Sequence, residues 1–314
     1  MKTVVLYGAK MNYDQLLDFS CLSEEVTVYD DADETKLQER VKDCDILITK
    51  ENPVTREMIN AFPERLKLIV EAGTGYNNID TAAAREKGIT VCNVPAYSSE
   101  GVREMTVMFL LMLSSSMHSQ VTMLERGDKS NFSRCLSVPH NEVYEKTLGV
   151  IGEGRIGKLV IDTALHLGMK VLVYTRTPKE DTENVKHVSL EELLKESDYV
   201  SLHCPLTPAT KYLINKDTLA LMKPTAFLIN TSRGPLIDEK ALIEVLKERR
   251  IAGAALDVQE EEPLAEDSPL FELDNVILTP HIGWKGVDTR RRMVSILKED
   301  IEAYRKGAAI NVVN

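Results

Sequence analysis

Leu148-Gly149-Val150-Ile151-Gly152-Glu153-Gly154-Arg155-Ile156-Gly157-Lys158 joins a short apolar run, residues 148–151, to an apolar-periodic stretch, residues 156–167. The run reads as a buried strand and the stretch as a helix. The three glycines between them divide the work. Gly152 makes the tight turn, Gly154 lets the backbone approach a pyrophosphate, and Gly157 lets the helix pack closely on its strand. Arg155 and Ile156 open the helix, where unpaired N–H groups and the helix dipole favour negative charge. A lone Gly-x-Gly-x-x-Gly is weak. Set between strand and helix, with a second strand at 170–174, it reads as a dinucleotide site.

The rest of the composition narrows the setting. A chain of 314 residues suits two domains, each able to bury a core. A content of 43% hydrophobic and 28% charged residues is that of a globular protein. The net charge of −11 argues against a nucleic-acid partner or an anionic membrane surface, both of which favour a basic face. Five scattered cysteines, Cys21, Cys44, Cys92, Cys135 and Cys204, form no C-x-x-C pair. They fit free thiols and exclude a recognisable zinc or redox motif. Residues 1–7 read as a first strand rather than a signal peptide, and no apolar run has membrane-spanning length. A cytoplasmic protein is expected.

Outward from the glycine turn, strand-like and helix-like pieces alternate in two blocks. The first block places strands at 3–7, 25–29, 45–49, 66–71 and 90–93, with helices at 12–19, 35–41, 55–62 and 80–87. A glycine- and asparagine-rich loop, residues 72–78, follows a strand end, where open α/β sheets hold ligands. Residues 99–114 form a strong helix, apolar on nearly every face after Thr106, expected in a core or at a subunit contact. Met105, Met108 and Met112 fall at helical spacing and are expected to pack in a core. Residues 127–146 read as a surface excursion. The second block continues with strands at 170–174, 199–202, 226–230, 253–257 and 276–278, and helices at 190–196, 216–221 and 239–247. With the strand at 148–151 this makes about six parallel strands in a doubly wound sheet. A long amphipathic helix, 289–306, ends the chain. Two α/β domains imply a cleft between them, the usual address of a small-molecule site.

Three residues beyond strand ends suit proton and carbonyl chemistry. Arg233, in Asn230-Thr231-Ser232-Arg233-Gly234, offers a guanidinium able to grip a carboxylate or carbonyl with two hydrogen bonds. The alternative is a surface arginine paired with Asp238. His281, in Thr279-Pro280-His281-Ile282-Gly283-Trp284, carries the side chain best suited to proton exchange near neutrality. Glu262 lies in Asp257-Val258-Gln259-Glu260-Glu261-Glu262-Pro263; a carboxylate on the far ring nitrogen would orient the histidine and favour its charged form. The pattern alone does not separate Glu262 from Glu260 and Glu261.

Five ordered motifs, residues 73–80 (GTGYNNID), 152–157, 230–234 (NTSRG), 256–264 (LDVQEEEPL) and 279–284 (TPHIGW), resemble those of the D-2-hydroxyacid dehydrogenases, from about Lys50 to residue 314. The resemblance implies two Rossmann-like or flavodoxin-like, doubly wound parallel-sheet α/β domains. Residues 1–98 and 287–314 would form the substrate-binding domain, and residues 99–286 the dinucleotide-binding domain. It implies Arg233 as substrate ligand, Glu262 as support for the histidine, and His281 as proton donor to the substrate carbonyl. It assigns Lys50, Gly73, Thr74, Gly75 and Tyr76 to the substrate, whose carboxylate the loop amides would hold. To the cofactor it assigns Gly152, Gly154, Arg155, Ile156, Gly157, Cys204, Pro205, Thr231, Ser232, Asp257 and Gly283, with Asp257 at the nicotinamide end; Thr175 and Arg176 join them on a charge argument. No metal is implied, and a homodimer through the region of the 99–114 helix is expected.

Within the family, residues 93–98 (NVPAYS), Trp284 and residues 310–314 (INVVN) look most like the hydroxypyruvate/glyoxylate reductases. With the sequence ending at residue 314, the regulatory domain of long phosphoglycerate dehydrogenases is not expected. Residues 132–137 depart from the aromatic-rich loop of that subgroup. The expected reaction is reduction of a small 2-keto acid, hydroxypyruvate or glyoxylate. The alternatives are phosphoglycerate or another D-2-hydroxy acid, or a corepressor-like protein that senses the nucleotide without catalysis. Cofactor choice turns on the strand at 170–174. An NAD enzyme carries an acid at its end, and this chain carries Thr175 followed by Arg176. Without a carboxylate to repel a 2′-phosphate, and with an arginine to pair with it, NADP(H) is expected over NAD(H), Glu180 and Asp181 opposing.

Overall fold

The structure, a computed structural model, describes residues 1–31, 33–133, 135–177 and 179–314. Two compact units divide the chain, one of residues 1–98 and 284–314, the other of residues 99–283.

The first unit is a five-stranded parallel sheet of β1 (Lys2–Val5), β2 (Glu25–Val28), β3 (Ile46–Thr49), β4 (Leu68–Glu71) and β5 (Thr90–Asn93), in the order β2-β1-β3-β4-β5. The second is a seven-stranded parallel sheet of β6 (Thr147–Ile151), β7 (Lys170–Tyr174), β8 (Val185–His187), β9 (Tyr199–Leu202), β10 (Phe227–Asn230), β11 (Gly253–Leu256) and β12 (Val276–Leu278). Its order is β12-β11-β10-β9-β6-β7-β8, so the chain reverses direction across the sheet between β6 and β9. Successive side chains point to opposite faces, and both faces are buried. Ile46 and Ile48 of β3 join one core and Leu47 the other. Leu148 and Val150 of β6 pack on one side of the second sheet and Ile151 on the other.

Helices start where a side chain takes up a free N–H. Thr55, Asp80, Ser189 and Asp238 each accept from the third residue onward. The last helix, Val287–Arg305, belongs to the first unit. Its fully buried Arg290 donates to Asp14 at 2.8 Å and to the carbonyl of Met11 at 3.0 Å. Beyond it, Asn314 accepts from the backbone of Val91 at 2.9 Å. Among the described residues no single helix is long and apolar enough to cross a membrane.

Several expectations give way. The helix expected at 12–19 does not form; a short one, Gly8–Met11, ends at Asn12. The Asn12 amide accepts from the N–H of Leu17 at 2.8 Å and donates to its carbonyl at 3.1 Å, closing a loop that competes with helix. The second sheet has seven strands rather than six, since the edge strand β8 adds three residues too short and too polar to show a pattern. A helix at Met117–Glu125, without a buried residue, was not anticipated. Met105 packs in the core as expected, whereas Met108 is 44% exposed. Between 127 and 146 only Ser130–Ser133 is helical, and Arg134 lies outside the described residues.

Candidate active site

The turn from β6 into helix Arg155–His166 is fixed by what glycine lacks. Gly152 has φ 101°, and a Cβ there would stand 2.6 Å from the backbone nitrogen of Cys204. A Cβ on Gly157 would stand 2.1 Å from the carbonyl oxygen of Gly152. Gly154, the N-cap, faces open space with no atom within 4 Å. The first N–H groups of an α-helix have no intrahelical partner. Close packing on two sides and free donors on the third fit a pyrophosphate. Arg155 is exposed, 3.9 Å from Glu100. Beyond β7, Thr175 is half-buried and Arg176 exposed, and Arg176 has no ion-pair partner among the described residues.

The ends of β9 and β10 meet beside this turn. Ser232 donates to the carbonyl of Cys204 at 2.9 Å, and Pro205 accepts from Thr210 at 2.7 Å. Thr231 shares a 2.9 Å hydrogen bond with Thr106. Asn230 accepts from the N–H of Ser232 at 3.0 Å and donates to the carbonyl of Arg233 at 2.9 Å, which fixes the loop carrying Arg233. The Arg233 guanidinium is exposed, with Nη1 on the carbonyl of Ser232 at 2.7 Å. Asp238 caps the following helix instead of pairing with it. A Cβ on Gly234 would stand 1.7 Å from the carbonyl oxygen of Gln259, so glycine lets the Arg233 loop lie against the acidic segment.

In that segment the geometry separates the three glutamates. Glu260 bonds Tyr212 and the N–H of Glu239, and Glu261 is exposed. Glu262 accepts from the N–H of Gln259 at 3.3 Å through Oε1 and lies 2.7 Å from Nδ1 of His281 through Oε2. His281 adopts φ 52°, the left-handed region, held by its N–H on the carbonyl of Asp257 at 2.8 Å. The buried Asp257 carboxylate ties down the same loop, accepting from Thr279 at 2.6 Å, Ile282 at 2.8 Å and Gly283 at 2.8 Å. Its Oδ2 accepts only the last of these, which leaves a lone pair.

In the first unit, Gly73 follows β4 with its carbonyl on the N–H of Val94 at 2.9 Å. Thr74 donates to the carbonyl of Val94 at 3.1 Å and accepts from Asn93 at 2.7 Å through its own carbonyl. Gly75 and Tyr76 are half-buried. Lys50 is 2% exposed, with Nζ 2.9 Å from Glu51, 3.4 Å from the Tyr97 hydroxyl and 4.2 Å from the Trp284 ring centroid. A Cβ on Gly73 would come within 3.0 Å of that ammonium and 3.3 Å of Glu71. Burial pushes the Glu71 carboxyl up to about 7 against the pull of Lys50 and Asn78, while Glu51, between Lys50 and Lys10, is held down to about 2 although burial opposes it.

Residues 107–283 match the family described as "D-isomer specific 2-hydroxyacid dehydrogenase, NAD binding domain". A hydroxypyruvate reductase of Blautia hydrogenotrophica is 38% identical over the whole length of both chains. This chain belongs to the D-isomer-specific 2-hydroxyacid dehydrogenases. A glyoxylate reductase of Korarchaeum cryptofilum is 40% identical over 86% of this dehydrogenase and 82% of its own length. Among solved structures, an acyclic imino acid reductase (Bsp5) in complex with NADPH and D-Arg superposes with a TM-score of 0.82 at 32% identity over both whole chains. The dehydrogenase is an oxidoreductase that works with a nicotinamide cofactor on a D-2-hydroxy acid or its 2-keto partner.

Two groups escaped the reading of this dehydrogenase's sequence. Glu71 looked like the last residue of a strand, and only the sheet shows it under Gly73. Glu153 was an unremarked residue of the glycine motif, and its carboxylate lies 2.5 Å from Lys179 and 3.2 Å from His187.

Proposed function

We propose that this dehydrogenase reduces hydroxypyruvate or glyoxylate to the D-2-hydroxy acid, with NADP(H) preferred to NAD(H). The observation that carries the reading is the 2.7 Å contact between His281 Nδ1 and Glu262 Oε2. With Nδ1 held by a carboxylate, Nε2 is the ring nitrogen left to hand a proton to the carbonyl oxygen. When bound, the reduced nicotinamide supplies the hydride that adds to the carbonyl carbon. Arg233 grips the keto acid through its free N–H groups and polarises the carbonyl. The amides of residues 73–76 hold the substrate carboxylate, with the Lys50 ammonium behind Gly73. The glycine turn, Arg155 and Ile156 hold the pyrophosphate, Cys204, Pro205, Thr231, Ser232 and Gly283 line the dinucleotide, and the remaining lone pair of Asp257 meets the nicotinamide end. Residues 99–283 thus hold the cofactor and supply Arg233, Glu262 and His281, while the first unit holds the substrate carboxylate.

The names of the two relatives support the substrate class. Thr175 where an acid would favour NAD, and Arg176 without an ion-pair partner among the described residues, support NADP(H), as does a similar fold in complex with NADPH. Met108, Leu111, Met117, Val121 and Leu124 are each more than 40% exposed on two successive helices. Such an apolar face supports a homodimer. Five unpaired cysteines support a cytoplasmic setting.

The test is a panel of 2-keto acids, including hydroxypyruvate, glyoxylate, pyruvate and phosphohydroxypyruvate, run with NADPH and with NADH. The highest kcat/KM should fall on hydroxypyruvate or glyoxylate with NADPH. A preference for another keto acid sinks the substrate assignment, and a preference for NADH sinks the cofactor assignment.

A further inference from the structure

The parallel register of the second sheet sets three strand ends in a row. Ile151 of β6 lies opposite Tyr174 of β7, and Val173 of β7 opposite His187 of β8. Glu153, Thr175 with Arg176, and His187 therefore share one carboxyl edge, where a fold of this kind receives the adenosine ribose. Glu153 stands inside the glycine turn, between Gly152 and Gly154, so an acid lies at this edge although Thr175, not an acid, follows β7. A bare carboxylate there would repel a ribose 2′-phosphate.

It is not bare. Oε1 of Glu153 lies 2.5 Å from Lys179 Nζ and Oε2 lies 3.2 Å from His187 Nε2. The other ring nitrogen, Nδ1, lies 3.2 Å from Asp181, which also accepts the His187 N–H at 2.8 Å. Only 5% of the His187 side chain and 12% of that of Glu153 are exposed, so solvent screens the pair little. The ring thus bridges two carboxylates, Glu153 on one side and Asp181 on the other. Glu153 is matched by the Lys179 ammonium and engaged by the His187 ring. The exposed Glu180, Glu183 and Lys186 belong to the same segment. Arg176 has no ion-pair partner among the described residues.

We propose that Lys179 and His187 set cofactor choice in this chain by occupying both oxygens of Glu153 in the glycine turn, which leaves Arg176 to meet a ribose 2′-phosphate. The inference rests on the NADP(H) reading but makes a separate demand on Glu153. Lys179 and His187 are positioning residues, acting on the phosphate through the acid they hold.

Adenosine 2′,5′-bisphosphate and 5′-AMP serve as probes, their dissociation constants measured by calorimetry on the full chain, alongside KM for NADPH and NADH. Lys179→Met should weaken the bisphosphate about tenfold relative to 5′-AMP, equivalent to about 1.4 kcal/mol. His187→Gln should act in the same direction, and adding Glu153→Gln to Lys179→Met should restore the wild-type ratio. Lys179 is exposed, and its replacement should leave the melting temperature in place. An unchanged ratio in Lys179→Met, an equal loss of both probes, or a double variant without recovery overturns the proposal. The NADP(H) reading fails by a different result: wild type binding both probes alike, with Arg176→Ala changing neither. The change of ratio in Lys179→Met is read whichever cofactor wild type favours.

Discussion

Nδ1 of His281 lies 2.7 Å from Oε2 of Glu262, and the other oxygen of Glu262 is occupied by the N–H of Gln259 at 3.3 Å. The carboxylate is thus anchored on its own segment and fixes the ring from behind. His281→Ala should lower kcat about 10²- to 10⁴-fold in steady-state assays, the usual worth of a positioned proton donor. Glu262→Gln keeps an acceptor toward Nδ1 but loses the carboxylate charge, so its loss should fall between wild type and His281→Ala. Near-wild-type turnover in His281→Ala removes the proton-donor role.

Among the described residues the Arg233 guanidinium makes one hydrogen bond, from Nη1 to the carbonyl of Ser232, and no ion pair. Its other N–H groups are free for a ligand. Arg233→Lys keeps a positive charge and loses the planar two-pronged grip. Hydrogen bonds to charged groups are worth about 1.5–3 kcal/mol, so kcat/KM should fall about tenfold to a hundredfold. A drop below twofold would mean that charge alone suffices and that the substrate is not held in a fork.

Two glycines of one motif should fail in different ways. Gly154 faces open space at ordinary φ, so Gly154→Ala should fold normally and weaken the dinucleotide whose phosphates need that space. A Cβ on Gly157 would press within 2.1 Å of the carbonyl oxygen of Gly152, and Gly157→Ala should destabilise the fold by about 1–3 kcal/mol before any effect on binding. Melting curves with and without NADPH separate the two. A lowered melting temperature for the cofactor-free Gly154→Ala protein would show that Gly154 serves the fold instead.

Most of the architecture was legible because strand and helix patterns were local. Lys170–Tyr174, Leu190–Glu196 and Ser99–Ser114 fall where apolar spacing and flanking polar residues put them. Residues 12–19 misled because the helical spacing of their apolar side chains says nothing of the Asn12 amide closing on Leu17. Glu260, Glu261 and Glu262 are equivalent as letters and differ only once Tyr212 claims the first and His281 the third. The ring of charges at Glu153 was hidden for another reason. Its members are 26 and 34 positions apart and meet only through the register of β6, β7 and β8.

The Glu71 carboxyl makes the last prediction, on stability. Burial raises it to about 7 from a usual value of 4.5, although Lys50 and the amides of Asn78 and Glu51 favour its charged form. Between those values the folded state holds a proton that the unfolded chain has released. Stability therefore falls as pH rises from about 4.5 to 7, by about 3 kcal/mol if the full shift is realised. Asp300, raised to about 6 by burial against its bond to Asn311, adds a slope of the same sign. Glu71→Gln carries no titrating group and should retain only the Asp300 contribution. The urea midpoint measured at pH 5 and pH 8 should drop further in wild type than in Glu71→Gln, with Glu71→Gln plus Asp300→Asn flatter still. Parallel declines in wild type and Glu71→Gln would mean that Glu71 is ionised throughout, as a full ion-pair partner of Lys50.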